Sequence, residues 1–371
     1  MKLLSIVGAR PQFIKVKPLV DEFNKKGIQH ILVHTGQHYD YEMSQVFFDQ
    51  LKIPLPDYNL GVGSHSHGKQ TGLMLEKIEE VLLKEMPDMV IVYGDTNSTL
   101  AGALSAVKLK IPVAHIEAGL RSFRMDMPEE ANRVITDRIS TILFCPTQTA
   151  VENLRKEGIT KNVFLVGDVM YDVFLESQKL LSSRTILNDL NLKPKNYLLL
   201  TIHRQENTDN LENLKSIFLA LKDVNQKVLF PVHPRTKKAI EKIADFEISE
   251  LKNFQMIEPV SYLDMLVLEK NADKILTDSG GIQKEANWFG IPCLILRNET
   301  EWVELLVAGN AALTGSNQMV IKKILFEIDG RPLSNRPLVD SPQASERTVV
   351  KLLKWFETQE HNRGEKSGNP K

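Results

Sequence analysis

Three acidic positions in the first half of the chain fall where a parallel α/β sheet presents reactive carboxylates. Asp95 follows the apolar run 89–93 in Gly94-Asp95-Thr96-Asn97-Ser98-Thr99. An Asp directly after such a run is either a helix cap or a working carboxylate. Ser98 or Thr99 can serve as the cap instead, which leaves Asp95 spare. Glu117 follows the run 113–116 in His115-Ile116-Glu117-Ala118-Gly119-Leu120-Arg121. A Glu at the end of a buried strand is costly unless it is paired or used. Glu129 and Glu130 open a helix in Met127-Pro128-Glu129-Glu130-Ala131-Asn132-Arg133. Pro and acids at a helix start are ordinary punctuation, so this pair means little alone. Convergence changes that: Asp95, Glu117 and the Glu129 region share one rim of one predicted sheet. Acids gathered there repel one another, the condition under which a carboxyl becomes an acid or base near neutral pH.

Other strand ends offer anion binding. Gly8-Ala9-Arg10-Pro11-Gln12-Phe13-Ile14-Lys15 turns from a first strand into a helix whose N–H groups, with Arg10 and Lys15, suit a phosphate. A tight turn with two solvated cations reads the same way, and the loop is neither a Walker loop nor G-x-G-x-x-G. In the second half, Thr201-Ile202-His203-Arg204 and Pro231-Val232-His233-Pro234-Arg235 put His203 and His233 at equivalent sheet positions beside arginines. That pattern suits an anionic ligand or proton transfer. The sharpest element is Thr277-Asp278-Ser279-Gly280-Gly281-Ile282-Gln283-Lys284-Glu285. Ser279, Gly280 and Gly281 open a helix at which a phosphate can approach closely. Glu285, one turn on, is placed to accept two ribose hydroxyls. The competing reading is a glycine-rich turn with a solvated Glu.

The elements that must position these residues alternate. Apolar runs at 3–7, 31–34, 89–93, 113–116, 142–145 and 163–166 are followed by runs at 197–202, 228–232, 254–257, 274–277, 292–296 and 311–313. Helical patterns separate them, at 71–84, 129–140, 211–223 and 281–289. Near-continuous apolar strands between helices imply βαβ units and parallel sheets covered on both faces. The alternation restarts near 195, after a polar stretch. We expect an α/β protein with two Rossmann-like domains, 1–168 and 169–344, linked near 167–195. A helix at about 345–358 follows, and a polar tail, 359–371, is expected to be disordered.

Composition sets the outer bounds. The chain has 371 residues, 46 Lys+Arg and 47 Asp+Glu, for a net charge of −1. That balance argues against a general nucleic-acid binder. Only Cys145 and Cys293 occur, with no metal spacing. No run reaches a membrane span, and the N-terminal apolar run is broken too soon for a signal peptide. The expected location is the cytoplasm.

Taken together, Gly8-Ala9-Arg10-Pro11, Gly94-Asp95-Thr96, the 115–121 segment, Pro128-Glu129-Glu130-Ala131-Asn132-Arg133 and Asp278-Ser279-Gly280-Gly281-Ile282-Gln283 resemble the non-hydrolysing UDP-N-acetylglucosamine 2-epimerases, in order from residue 2 to about 355. The resemblance implies a glycosyltransferase B-type fold, with two Rossmann-like domains facing a cleft and the C-terminal helix crossing back onto the first. It implies interconversion of UDP-GlcNAc and UDP-ManNAc without NAD or metal, for surface polysaccharide precursors, by a homodimer with no nucleic-acid or membrane partner. The route is anti elimination of UDP and its re-addition. On this resemblance Asp95, Glu117, Glu129 and His203 are catalytic. Arg10, Lys15, Ser279, Gly280, Gly281 and Glu285 bind substrate, and His233 joins them as a substrate-binding candidate from its strand-end position alone.

The chain departs from the common family pattern in three places. Gly-Thr-Arg-Pro-Glu-Ala reads here as Gly8-Ala9-Arg10-Pro11-Gln12-Phe13. Thr-Glu-Arg-Pro-Glu reads as Thr300-Glu301-Trp302-Val303-Glu304, which loses an arginine contact at Trp302. The loop Gly36-Gln37-His38-Tyr39-Asp40 differs from the form that binds a second UDP-GlcNAc as activator in some members. These variants resemble the branch acting on UDP-2,3-diacetamido-2,3-dideoxy-glucuronic acid. A B-type glycosyltransferase and a non-catalytic nucleotide-sugar sensor are the competing readings on the same scaffold.

Overall fold

A computed structural model describes residues 1–36, 53–243, 251–328 and 342–367, the side chains of Arg10 and 363–367 excepted. Two parallel sheets organise the chain. The first contains β1 (Lys2–Val7), β2 (Gln29–His34), β3 (Tyr58–Asn59), β4 (Met89–Tyr93), β5 (Val113–Ile116), β6 (Ile142–Cys145) and β7 (Val163–Leu165), in the order β3-β2-β1-β4-β5-β6-β7. The second contains β8 (Tyr197–Thr201), β9 (Lys227–Pro231), β10 (Phe254–Ile257), β11 (Lys274–Thr277), β12 (Cys293–Ile295) and β13 (Ala311–Leu313), in the order β10-β9-β8-β11-β12-β13. The strands expected from apolar runs are present within a residue or so of the expected ends. Tyr58–Asn59 is an addition: two residues beside Val33 and His34, too short to show periodicity.

Both strand orders reverse once, between β1 and β4 and between β8 and β11. Ligands in open parallel sheets bind beyond the carboxyl ends of the strands at such switch points. The central strands are apolar because helices cover both faces; every residue of β4 is buried. Val90, Val92, Leu4 and Ile6 share one core with Met74, Ile78 and Ala103. In the second sheet Leu198, Leu200, Phe230 and Leu276 pack with Leu214, Ile217 and Phe218.

The chain divides into two compact units, Met1–Glu176 with Ser341–Lys371, and Ser177–Asp340. A cut after 168 would separate helix Val169–Gln178 from the unit that holds it. Asp172 on that helix accepts from the backbone N–H of Gln343 (2.7 Å), Ala344 (3.2 Å) and Ser345 (2.8 Å), and from the Ser345 hydroxyl (2.6 Å). It thus caps the terminal helix Ala344–Ser367, which packs on helix Arg10–Lys25. The expected disorder from 359 onward is not found up to Ser367. Gln359 and Glu360 are good helix formers, which outweighs the polar composition behind that expectation. Among the described residues no helix is long and apolar enough to cross a membrane.

Candidate active site

The first switch point is tied together by small and neutral groups. A Cβ at Gly8 would lie 2.0 Å from Ser98 Oγ and 2.2 Å from Thr35 Oγ1, so only glycine fits. Gln12 Oε1 accepts from the N–H of Gly8 (2.7 Å) and Ala9 (3.0 Å), and its Nε2 donates to the Tyr93 carbonyl at 2.6 Å. One buried side chain thereby fixes the exit of β1 against the exit of β4. The helix after β4, Asn97–Lys108, is capped by Thr96, whose hydroxyl accepts from Thr99 N–H at 3.3 Å. The expected cap was Ser98 or Thr99; Thr96 wins because the turn ends one residue after Asp95. Asp95 stays outside the cap.

Each acid at this rim has its own environment. Glu117 pairs with Lys15, both largely buried, and its φ is +69°. Left-handed backbone at a non-glycine residue costs roughly 1–2 kcal/mol, which the surroundings must offset. A Cβ at Gly94 would sit 3.3 Å from Glu117 Oε2 and 3.4 Å from Lys15 Nζ, so the pair lies against the turn that carries Asp95. Asp95 pairs with Arg133, and its carbonyl accepts from Asn132 Nδ2 at 2.9 Å. Mutual repulsion, the sequence-based expectation, is therefore interrupted by two cations. Glu129 is half-buried in the first turn of helix Pro128–Ile139. Its neighbour Glu130 is fully buried and accepts from Ser122 N–H, Ser122 hydroxyl and Phe123 N–H, each at 2.9 Å, and from Arg133 at 2.8 Å. Glu130 is thus a loop anchor. The side chain of Arg10 and the segment from Gln37 to Asp40 lie outside the described residues.

Behind this rim is a network that sequence reasoning missed. His115 is completely buried on β5, with Nδ1 2.7 Å from Asp137 Oδ1 and Nε2 2.7 Å from the Gly94 carbonyl. Asp137 also accepts from Arg121 (2.7 Å) and Gly119 N–H (3.1 Å). Burial opposes its ionisation, yet His115 and Arg121 hold its carboxyl below the ordinary aspartate value. The turn bearing Asp95 is thus held from below by the strand that delivers Glu117.

The second switch point gathers His203, His233, Ser279, Gly280, Gly281 and Glu285. Asp278, at the end of β11, accepts from the N–H of His203 (3.1 Å) and Arg204 (3.0 Å) and from Asn207 Nδ2 (3.0 Å). Burial works against its charge, but the His203 ring, Asn207 and the Arg204 amide hold its carboxyl below the ordinary range. His233 is exposed, 5.9 Å from His203 between ring centroids, and its Nδ1 accepts from Arg235 N–H as a helix cap. Ser279 begins helix Gly280–Phe289 without its side chain capping the first turn. A Cβ would meet only Trp302 Nε1 at 3.5 Å from Gly280, and only Ser279 Oγ at 3.8 Å from Gly281. Neither contact forces a glycine, so the missing side chains keep this helix start open to a ligand. Glu285 is 4% exposed rather than solvated. Trp302, where the family pattern has arginine, is buried against Gly280 with the Lys284 ammonium 4.1 Å from its ring centroid.

Residues 21–353 match the protein family described as UDP-N-acetylglucosamine 2-epimerase. The chain belongs to that family. A UDP-N-acetylglucosamine 2-epimerase homolog of Methanococcus maripaludis is 57% identical over 331 residues, 88% of this chain and 92% of that protein. The UDP-2,3-diacetamido-2,3-dideoxy-D-glucuronate 2-epimerase of Pseudomonas aeruginosa is 45% identical over 367 residues, 95% of this chain and 100% of the other. The crystal structure of the Methanocaldococcus jannaschii UDP-GlcNAc 2-epimerase in complex with UDP-GlcNAc and UDP matches with a TM-score of 0.89 at 44% identity, over 96% of this chain and 100% of that one. The glycosyltransferase B-type fold and the isomerase class expected above are those of this epimerase family. Within it, the described residues put an acid–cation cluster in the first unit and an open glycine helix start in the second.

Proposed function

We propose that this epimerase inverts C2 of a UDP-2-acetamido sugar by anti elimination and re-addition of UDP. The C2 hydrogen has no neighbouring carbonyl to acidify it, so its removal must be coupled to departure of the leaving group. A carboxylate takes the C2 proton. The C–H electron pair forms the C1–C2 double bond, and the C1–O bond breaks to release UDP as an anion. UDP then re-adds at C1 while a carboxylic acid returns a proton to the opposite face of C2. Asp95 and Glu117 or Glu129 supply the two proton carriers. Their assignment to faces stays open between Asp95 as carrier and either glutamate as its counterpart.

The remaining residues serve the diphosphate and the ribose. His203, anchored by Asp278, acts beside the leaving diphosphate. Ser279, Gly280 and Gly281 offer N–H groups to it, with Arg10, Lys15 and His233 as further contacts, and Glu285 accepts the ribose hydroxyls. The observation that carries the reading is the pairing of Asp95 and Glu117 with Arg133 and Lys15 at the exits of neighbouring strands. The two cations hold both carboxylates at one rim.

Two sugars fit the family: UDP-GlcNAc, and UDP-2,3-diacetamido-2,3-dideoxy-glucuronate. Trp302 in the arginine position supports the second, and the 57% identity to the Methanococcus homolog supports the first. A cytoplasmic enzyme feeding surface polysaccharide synthesis is the matching role, and the two buried free cysteines suit a reducing compartment. The homodimer rests on the family resemblance, and sedimentation measures it. Incubation with each sugar in deuterated water is the test. Epimerisation places deuterium at C2. Turnover that leaves C2 protonated and needs an acceptor would instead identify a glycosyltransferase.

A further inference from the structure

Helix Tyr262–Asn271 packs on helix Gly280–Phe289, and each contributes one glutamate to the contact. Glu269 is 0% exposed and Glu285 is 4% exposed. No N–H or O–H of another described residue reaches either oxygen of Glu269; the polar group beside it is the Glu285 carboxyl. The other titratable groups around it are Tyr197 on β8 and Cys293 on β12. Tyr197 gives its proton to the Leu268 carbonyl at 2.5 Å. From the segment before Ile186–Asp189, Arg184 is engaged with Asp264 at 2.6 and 2.7 Å. Among the described residues no cation meets Glu269, and an ionised Glu269 buried beside the Glu285 carboxylate would be repelled strongly. One proton between them turns the repulsion into a charge-assisted hydrogen bond.

We propose that Glu269 is a positioning residue: as a neutral acid it donates to Glu285 and fixes the Glu285 carboxylate in the orientation that accepts two vicinal ribose hydroxyls. The proposal rests on the reading of Glu285 as the ribose acceptor. Burial first, and Glu285 second, push the Glu269 carboxyl well above the ordinary glutamate range, which favours the protonated donor. A solvated Glu285 would swing freely and lose rotamer entropy on every binding event. Held by Glu269, it meets the sugar already ordered.

Calorimetry of the full chain with UDP and with 2′,3′-dideoxy-UDP tests this. Glu269→Leu removes the donor without burying a new polar group, and weakens UDP about tenfold, the scale of one hydrogen bond to a charged group. Glu269→Gln keeps a neutral donor and stays within about threefold of the unaltered chain. Neither variant changes affinity for the dideoxy analogue. In the unaltered chain the preference for UDP over the analogue fades as pH rises; in Glu269→Gln it does not. Equal losses for both ligands in Glu269→Leu, or the same pH dependence in Glu269→Gln, would overturn the positioning role. An unaltered chain that binds the two ligands equally would overturn the ribose reading of Glu285 beneath it, while leaving the C2 chemistry standing.

Discussion

His203 Nδ1 lies 3.2 Å from Asp278 Oδ1, across the junction of β8 and β11. The same carboxylate accepts the backbone N–H of both His203 and Arg204. The position of the imidazole is thus set by one buried group. Asp278→Asn would turn an amide N–H₂ or a lone carbonyl toward donors that now share two carboxylate oxygens. It should cost about 1–3 kcal/mol of stability and lower kcat for C2 exchange by at least about tenfold. Denaturant titration and deuterium incorporation read the two effects separately.

Glu117 belongs to the first unit and the glycine helix start to the second. Glu117→Gln should therefore keep UDP affinity while losing deuterium exchange at C2. The amide also leaves Lys15 without its anion in a largely buried site, so a loss of about 1–3 kcal/mol in stability accompanies it. Exchange at the unaltered rate would remove Glu117 from the mechanism.

Adjacent glutamates should behave oppositely. Glu130 satisfies three donors from Ser122 and Phe123 in the preceding loop and one from Arg133 on its own helix. Glu130→Gln should lower the melting temperature, since a neutral amide must face N–H groups and Arg133. Glu129→Gln should leave the melting temperature almost unchanged and depress C2 exchange. A Glu129 variant with full exchange activity would show that only Asp95 and Glu117 carry protons.

Glu269 also links stability to pH. Its folded carboxyl holds a proton to higher pH than the unfolded one. The stability it contributes is complete below the ordinary glutamate value and drains away as pH rises through the folded value. Glu269→Gln should flatten that slope and leave the chain more stable than the unaltered one on the alkaline side. Urea titrations of both across that range check it.

Most of the strands were open to sequence reasoning because buried parallel strands are nearly continuous apolar runs. Met89–Tyr93 and Val113–Ile116 have the ends assigned to them from the sequence. The rim acids were visible because strand ends are where such residues have no packing excuse. Their partners were not. Nothing in the spacing of Lys15 and Glu117, or of Asp95 and Arg133, announces an ion pair, since each depends on which strands become neighbours. His115 looked like part of a motif, and its burial against Asp137 depends on a helix that returns from 22 residues later. Glu269 carries no local signal at all. Its meaning comes from the helix beside it, which also turns Glu285 from a surface acid into a buried one.

The capping of Ala344–Ser367 by Asp172 makes the second unit an insertion within the first. During synthesis, the segment Met1–Glu176 therefore waits for helix Ala344–Ser367. Ser177–Asp340 can complete its sheet while the amino-terminal sheet still lacks the helix that covers Arg10–Lys25. A chain stopped before Ala344 would carry a completed second sheet beside a first unit whose helix Arg10–Lys25 is still uncovered.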